Sequence, residues 1–209
     1  GGGWGPGWGF QGGWYPPFGP GWGGAVGASA RLQVTPKQAE AVPRLIIGLG
    51  RRYVQYINTT YRRTGTLWDS RYKSSLIQAQ THLLSCQRYI ELNPVRAALV
   101  DDPAHYRWTS YRHNALGQAN PYLTPHRLYR ALGRDDAARQ AAYRDLFRTQ
   151  LDGKAVDDIR LALNQNQPLG NSRFYARIEA MTGQRREARP RGRPRTQPDD
   201  SPHDAGQGR

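Results

Sequence analysis

The sequence has little cysteine, little methionine and no long apolar run. Cys86 is the only cysteine and Met181 the only methionine among 209 residues. A single cysteine excludes an intramolecular disulfide and is typical of a reducing compartment. No apolar segment is long enough to span a bilayer, and the first residues lack the basic-then-apolar pattern of a signal peptide. We therefore expect a cytoplasmic location and no membrane partner.

Acidic residues are also scarce relative to basic ones. The chain has 30 Lys and Arg against 16 Asp and Glu, which gives a net charge of +14 and an isoelectric point near 10.5. Such a charge attracts polyanions, nucleic acid first and acidic membrane surfaces second. A ribosome-like or merely soluble basic protein has the same composition. Because hydrophobic content is 37% and mean hydropathy is -0.80, part of the chain must lie outside any core.

Residues 1–28 are rich in glycine, with four tryptophans spaced among the glycines: Trp4, Trp8, Trp14 and Trp22. Glycine has a high ordering cost, so this composition predicts a disordered segment. The alternative is an aromatic platform for single-stranded bases, but the segment contains no Lys or Arg to hold phosphates. The chain does not begin with methionine, and we expect read-through of a broken or out-of-frame 5′ region. An intact in-frame start upstream that codes for different residues would refute that expectation.

A strand and a long helix are predicted next. The strand is the segment 31–34, and Thr35 and Pro36 have the residue types of a helix N-cap and first turn. The helix is expected to run to about Tyr61 with one buried stripe: Val42, Leu45, Ile46, Leu49, Tyr53, Tyr56 and Ile57. Arg51 and Arg52 flank that stripe, either as a solvated face or as phosphate contacts.

A loop and strand at 67–77 lead into a second helix, expected from Ala79 to about Asn93. Leu83, Cys86 and Ile90 recur at helical spacing and should face a core, and Pro94 should end the helix. Arg71, Lys73 and Arg88 lie along this stretch among aromatic residues and could neutralise phosphates; a purely structural role is the alternative.

Tyr89 and Asn93 stand four residues apart and therefore on one face of that helix. The ordinary interpretation is a packed tyrosine with an asparagine that caps the last turn. The other interpretation is a phenol nucleophile that attacks phosphorus and forms a phosphotyrosine link to DNA. Spacing alone favours the ordinary interpretation, because most of the 12 tyrosines must be structural.

From Thr124 onward the pattern predicts helices at about 125–132, 135–150, 154–164 and 171–182. Their apolar residues are expected to form a small accessory core: Leu128, Leu132, Tyr143, Leu146, Phe147, Leu151, Ile159, Leu163, Phe174, Ile178 and Met181. The basic segment 184–209 should be disordered. Within it Arg191 and Arg193 flank Gly192 and are expected to bind DNA, either in the minor groove or as a nonspecific phosphate-binding tail.

The stretch 89–97, Tyr-Ile-Glu-Leu-Asn-Pro-Val-Arg-Ala, resembles the signature of the REP-associated tyrosine transposases, relatives of the transposases of single-strand insertion sequences. Similar motifs lie on both sides, at 50–56, 65–73 and 106–111, so the resemblance covers roughly Thr35 to Gly117. It implies that Tyr89 is the nucleophile and that Asn93 lies at a metal site. It also implies Mg2+ or Mn2+, single-stranded or hairpin DNA as the partner, and a homodimer.

The resemblance also implies a His-hydrophobe-His pair on a central strand, where the two imidazoles hold one divalent ion. The sequence contains no His-x-His. Counting back from Thr35, the pair should fall near Ser29 and Arg31, and arginine has no lone pair to donate. We therefore expect an N-terminally truncated or degenerate copy, with impaired cleavage or with none.

These observations predict an α+β chain. Residues 29–118 are expected to form an incomplete ferredoxin-like transposase core without its early strands, and residues 119–183 a helical accessory subdomain. The predicted function is a single-tyrosine DNA transposase that cleaves and rejoins DNA. The alternative is a non-catalytic protein that binds DNA hairpins.

Overall fold

A computed structural model of the chain describes residues 7–14, 28–38, 40–68 and 72–183, with the backbone alone at 7–14 and 28–30. The described residues combine many helices with few strands, which agrees with the predicted α+β class. Among them, no helix has both the length and the apolar composition that crossing a membrane requires.

Three antiparallel strands form one sheet. They are β1 (Gly7–Trp14), β2 (Ala28–Val34) and β3 (Lys73–Ile77), in the order β2-β1-β3. The register sets Gln11 of β1 opposite Arg31 of β2 on one side and opposite Lys73 of β3 on the other. The central strand of the sheet is therefore the glycine-rich one.

This strand corrects the prediction of disorder for residues 1–28, which fails at Gly7–Trp14. It also corrects the expectation that the sheet lacks strands before β2. Pairing on both sides satisfies the backbone N–H and C=O groups of β1, and those hydrogen bonds offset the ordering cost of glycine. Residues 1–6 and 15–27, and the predicted basic tail at 184–209, lie outside the described residues.

Helix α1 (Ala41–Thr60) ends where predicted but begins six residues after Thr35. Its N-cap is Glu40, which makes no side-chain capping bond. Of the seven residues in the predicted buried stripe, Val42 and Ile57 are buried, while three others are exposed: Leu45, Leu49 and Tyr56. The amphipathic pattern predicted the helix correctly. It predicted more buried residues than the structure shows.

Helix α2 (Ala79–Glu91) begins at the predicted residue and ends two residues before Asn93. After Leu92 a short helix α3 (Asn93–Arg96) follows, with Pro94 in its first turn, where a missing amide proton is tolerated. Leu83 and Cys86 are buried as predicted, and Ile90 packs at the edge of the same core.

The later helices follow the predicted pattern. After a 3-10 turn at Pro103–His105 come α4 (Tyr111–Leu116), α5 (Arg127–Arg130), α6 (Asp136–Asp145), α7 (Gly153–Gln165) and α8 (Ser172–Thr182). Asp135 caps α6 by accepting from the Ala138 amide at 2.8 Å, and Asn171 caps α8 by accepting from the Phe174 amide at 2.9 Å.

The predicted accessory core does not form a separate unit. Its Ile159 and Leu163, on α7, pack with Tyr89 of α2, and Ser75 Oγ of β3 donates to the Ala162 carbonyl at 2.7 Å. Its Tyr143, on α6, packs instead with residues of α4 and α5. The boundary predicted at residue 119 is therefore crossed by both cores, because α7 packs against α2 and the sheet.

Gly133 packs directly against the start of α6. A Cβ at this position would lie 2.6 Å from the Arg139 backbone nitrogen and 2.7 Å from the Ala138 carbonyl carbon. We expect Gly133→Ala to lower the free energy of unfolding by about 1–3 kcal/mol, the usual cost of overpacking. The matched control is Gly153→Ala, where nothing lies within 4 Å of the added Cβ. Urea unfolding of both variants checks the prediction, and equal stabilities would contradict it.

Candidate functional site

The Tyr89 side chain lies inside the core formed by α2, β3 and α7. Its exposed fraction is 4%, and its neighbours include Ile77, Cys86 and Leu163. Beside the ring is a largely apolar cavity of about 20 Å³, room for about one water molecule. A phosphodiester therefore has no space next to the phenol in this conformation.

Two arginines cover the same ring. The Arg31 Cζ lies 5.3 Å and the Arg96 Cζ 4.4 Å from the Tyr89 ring centroid, within range for cation–π attraction. Strand β2 is held against α2 by Gln33, whose Nε2 donates to the Leu83 carbonyl at 3.1 Å. Arg31 and Gln33 are two residues apart in the strand, so both project towards α2.

The predicted partner of Tyr89, Asn93, is bound to the second arginine. Asn93 Oδ1 accepts a hydrogen bond from Arg96 Nη2 at 2.8 Å, and the same Nη2 donates to the Tyr89 main-chain carbonyl. The structure thus joins Tyr89 and Asn93 through Arg96. The amide oxygen that the resemblance places at a metal site accepts from a guanidinium.

Arg160 of α7 contributes a third positive charge. Burial lowers the pKa of Arg31 and of Arg96, Tyr89 raises both pKa values, and the nearby Arg160 lowers both. Arg160 is half exposed and lies 3.6 Å from Asp157. We call Arg31, Arg96 and Arg160, with Tyr89, the arginine–tyrosine cluster.

These residues do not fit the divalent ion that the resemblance implies. Arg31 occupies the strand position expected for the histidine pair, and a guanidinium has no lone pair for a metal. The positive charges of Arg31 and Arg96 over the Tyr89 ring repel a cation further. Within the part of the chain that the structure describes, no group of three His, Cys, Asp or Glu side chains could hold a metal.

The described residues that were predicted to contact DNA do not cover the Tyr89 ring. Arg51 and Arg52 are exposed on α1. Lys73 Nζ donates to the Asn164 carbonyl at 3.2 Å, and Arg88 Nη2 donates to the Thr149 carbonyl. Arg71, Arg191 and Arg193 lie outside the described residues. The two arginines that cover the tyrosine ring, Arg31 and Arg96, were not among those predicted to contact DNA.

A buried carboxyl group was missed by the sequence analysis altogether. Glu91, two residues after Tyr89, has an exposed fraction of 0%. It accepts hydrogen bonds from Ser110 Oγ at 2.5 Å, from the Tyr143 hydroxyl at 2.8 Å and from Asn114 Nδ2 at 3.3 Å. Burial raises the pKa of Glu91 to about 7, although the hydrogen bonds lower it. The network ties the end of α2 to α4 and α6.

The position of Glu91 gives the signal that could have identified it. It follows the buried Leu83 by eight residues, which places both on one face of α2. A glutamate on an apolar face needs hydrogen-bond donors there.

Comparison with family models, with curated proteins and with solved structures finds no match for this chain.

Proposed function

We propose that this chain is a DNA-binding relative of the REP-associated tyrosine transposases that binds single-stranded or hairpin DNA without cleaving it. The observation that carries the proposal is the arginine–tyrosine cluster. The tyrosine of the transposase-like motif is buried beneath Arg31 and Arg96, two cations where the resemblance implies a metal. Positive charge is present where a phosphodiester would meet the protein. Side chains that could bind a catalytic metal ion are not present among the described residues there.

The proposal also includes the fold, an incomplete ferredoxin-like sandwich, and the arrangement of strands and helices supports it. The sheet β2-β1-β3 carries α2 and α7 packed together around Tyr89 and Ile77. Strand β2 followed by α1, and β3 followed by α2, repeat the strand-then-helix order of such a sandwich. The proposal also includes a cytoplasmic location and assembly of the chain into a homodimer.

The second candidate is the cleaving transposase. One observation favours it: Arg31 and Arg96 lie over the Tyr89 ring, and their positive charge would favour a negative charge that develops on the phenol. Attack would require the ring to leave its enclosed position, and it would require a metal site built from residues other than those around Tyr89.

A single assay separates the two candidates. The full chain is incubated with end-labelled hairpin DNA, with and without Mn2+, and is analysed by native electrophoresis and by denaturing electrophoresis. We expect a retarded band in the native gel that weakens as salt rises, because phosphate contacts release counterions. We expect no adduct in the denaturing gel, with wild type and Tyr89→Phe indistinguishable.

A Mn2+-dependent adduct that disappears in Tyr89→Phe would establish the cleaving transposase instead. If the DNA is not retarded at any salt concentration, both candidates fail.

A further inference from the structure

The Arg31 guanidinium is a partly buried cation without an acidic partner in the described residues. Its Nε is enclosed and makes no hydrogen bond there. Two titratable neighbours shift the pKa of Arg31: the Tyr89 phenol raises it and the Arg160 cation lowers it. Withdrawing a charge from water without a counter-charge is costly, so such a group is expected only where an anion or a special contact compensates it.

The neighbours of Arg31 add positive charge. Arg96 lies over the same ring of Tyr89, and it donates hydrogen bonds to two neutral oxygens, the Tyr89 carbonyl and Asn93 Oδ1. Arg160 is the one member of the cluster with an acidic neighbour, Asp157, and that contact is long at 3.6 Å and half exposed. The cluster therefore contains three guanidinium groups, and Asp157 beside Arg160 is the one carboxylate that contacts them in the described residues.

We infer that Arg31, Arg96 and Arg160 form a binding site for a tetrahedral oxoanion, a phosphate group, at the place where the family resemblance predicts a metal cation. The inference rests on the proposed function for the source of that phosphate, the DNA backbone. Guanidinium groups bind phosphate through paired N–H donors, a geometry that an ammonium lacks. The cavity beside Tyr89 is too small for phosphate, so the anion binds on the solvent side, where Arg96 and Arg160 are exposed.

Inorganic phosphate is the first probe. It is titrated against chloride at constant ionic strength, and the thermal unfolding of the full chain is followed by circular dichroism. Binding to the folded state raises the melting temperature, and the stabilisation grows with the logarithm of the ratio of phosphate concentration to Kd. We expect phosphate to stabilise the wild type, and Arg31→Gln and Arg160→Gln each to weaken its binding at least tenfold, the loss typical of one charged hydrogen bond.

Two further variants make this result specific. Arg173→Gln removes an exposed arginine of α8 outside the cluster and should leave phosphate binding unchanged. Arg31→Lys keeps the charge without the paired donors and should restore only part of the binding. Should Arg31→Gln fail to fold, the exposed Arg160→Gln still decides, because it sits at the solvent side of the site.

A single-stranded oligonucleotide is the second probe and separates the sources of phosphate. If it binds with an affinity that depends on Arg31 and Arg160 while inorganic phosphate does not bind, the site takes backbone phosphate only, and the inference stands. If it binds equally to wild type, Arg31→Gln and Arg160→Gln, DNA binding survives and the oxoanion site is refuted.

If inorganic phosphate binds through the cluster but the oligonucleotide does not bind at all, the site stands and the proposed function fails. Equal phosphate effects in all variants, or none in any assay, overturn the inference.

Discussion

Replacing Glu91 with alanine is expected to lower the free energy of unfolding by about 3–5 kcal/mol, the range for a buried truncation that also strands polar partners. The fully buried carboxyl accepts hydrogen bonds from Ser110, Tyr143 and Asn114. Alanine removes the acceptor from all three donors and leaves a cavity. Because Tyr143 is itself fully buried, its hydroxyl has no access to water in the folded state. Urea unfolding followed by circular dichroism measures the loss.

The matched control is Glu40→Ala. Glu40 is the exposed N-cap residue of α1 and makes no side-chain capping bond. Its replacement should change the free energy of unfolding by no more than about 0.5 kcal/mol, the range for ordinary surface positions. A loss from Glu91→Ala that is no larger than the Glu40→Ala change would show that the buried network does not exist as described.

The second large effect is the loss of the stabilisation that Glu91 contributes as pH rises from about 5 to about 8. Burial raises the pKa of Glu91 from 4.5 to about 7, so the folded protein holds a proton that the unfolded chain releases. The resulting stabilisation is complete below the unfolded pKa and is lost as pH rises through the folded one. At about 1.4 kcal/mol for each unit, the raised pKa corresponds to roughly 3 kcal/mol.

Glu91→Gln isolates this contribution, because glutamine keeps the size of the side chain and does not titrate. Burial lowers the pKa values of His82 and His126, which add a slope of the opposite sign, and both histidines are unchanged in the variant. The difference between wild type and Glu91→Gln, measured by urea unfolding at each pH, should therefore fall steadily from pH 5 to pH 8. A constant difference would mean that Glu91 does not titrate in this range.

Local patterns predicted the helices well. The start of α2 at Ala79 and the four later helices were predicted from residue patterns along the chain. The capping bonds of Asp135 and Asn171 became visible only in the structure. Periodicity indicates which residues share a face of a helix. It does not say what covers that face, and so Leu45 and Leu49 of α1 were predicted to be buried although both are exposed.

Long-range pairing was the part that local patterns could not supply. Glycine composition concealed β1, although Trp8 and Phe10 stand at alternate positions, the spacing of a strand. The same limit applies to α7, which was predicted as a helix and which packs against Tyr89 rather than within a separate subdomain.

The sequence predicted one neighbour of Tyr89 and did not predict its burial. Counting back from Thr35 placed the metal pair near Arg31, and the structure does bring Arg31 against Tyr89. The resemblance implied that the tyrosine is a nucleophile, which must be accessible to DNA. Its spacing of three residues from the buried Cys86 indicates instead that it lies on the apolar face of α2.

Chemical nitration of the native protein, read by peptide mass spectrometry, tests most directly whether the Tyr89 phenol is enclosed. Tyr122 is 92% exposed and serves as the internal reference, while Tyr89 is 4% exposed. We expect rapid nitration of Tyr122 and protection of Tyr89 until the chain is unfolded with urea. Nitration of Tyr89 at the rate of Tyr122 in the native protein would contradict the buried site and would restore the open, nucleophilic tyrosine.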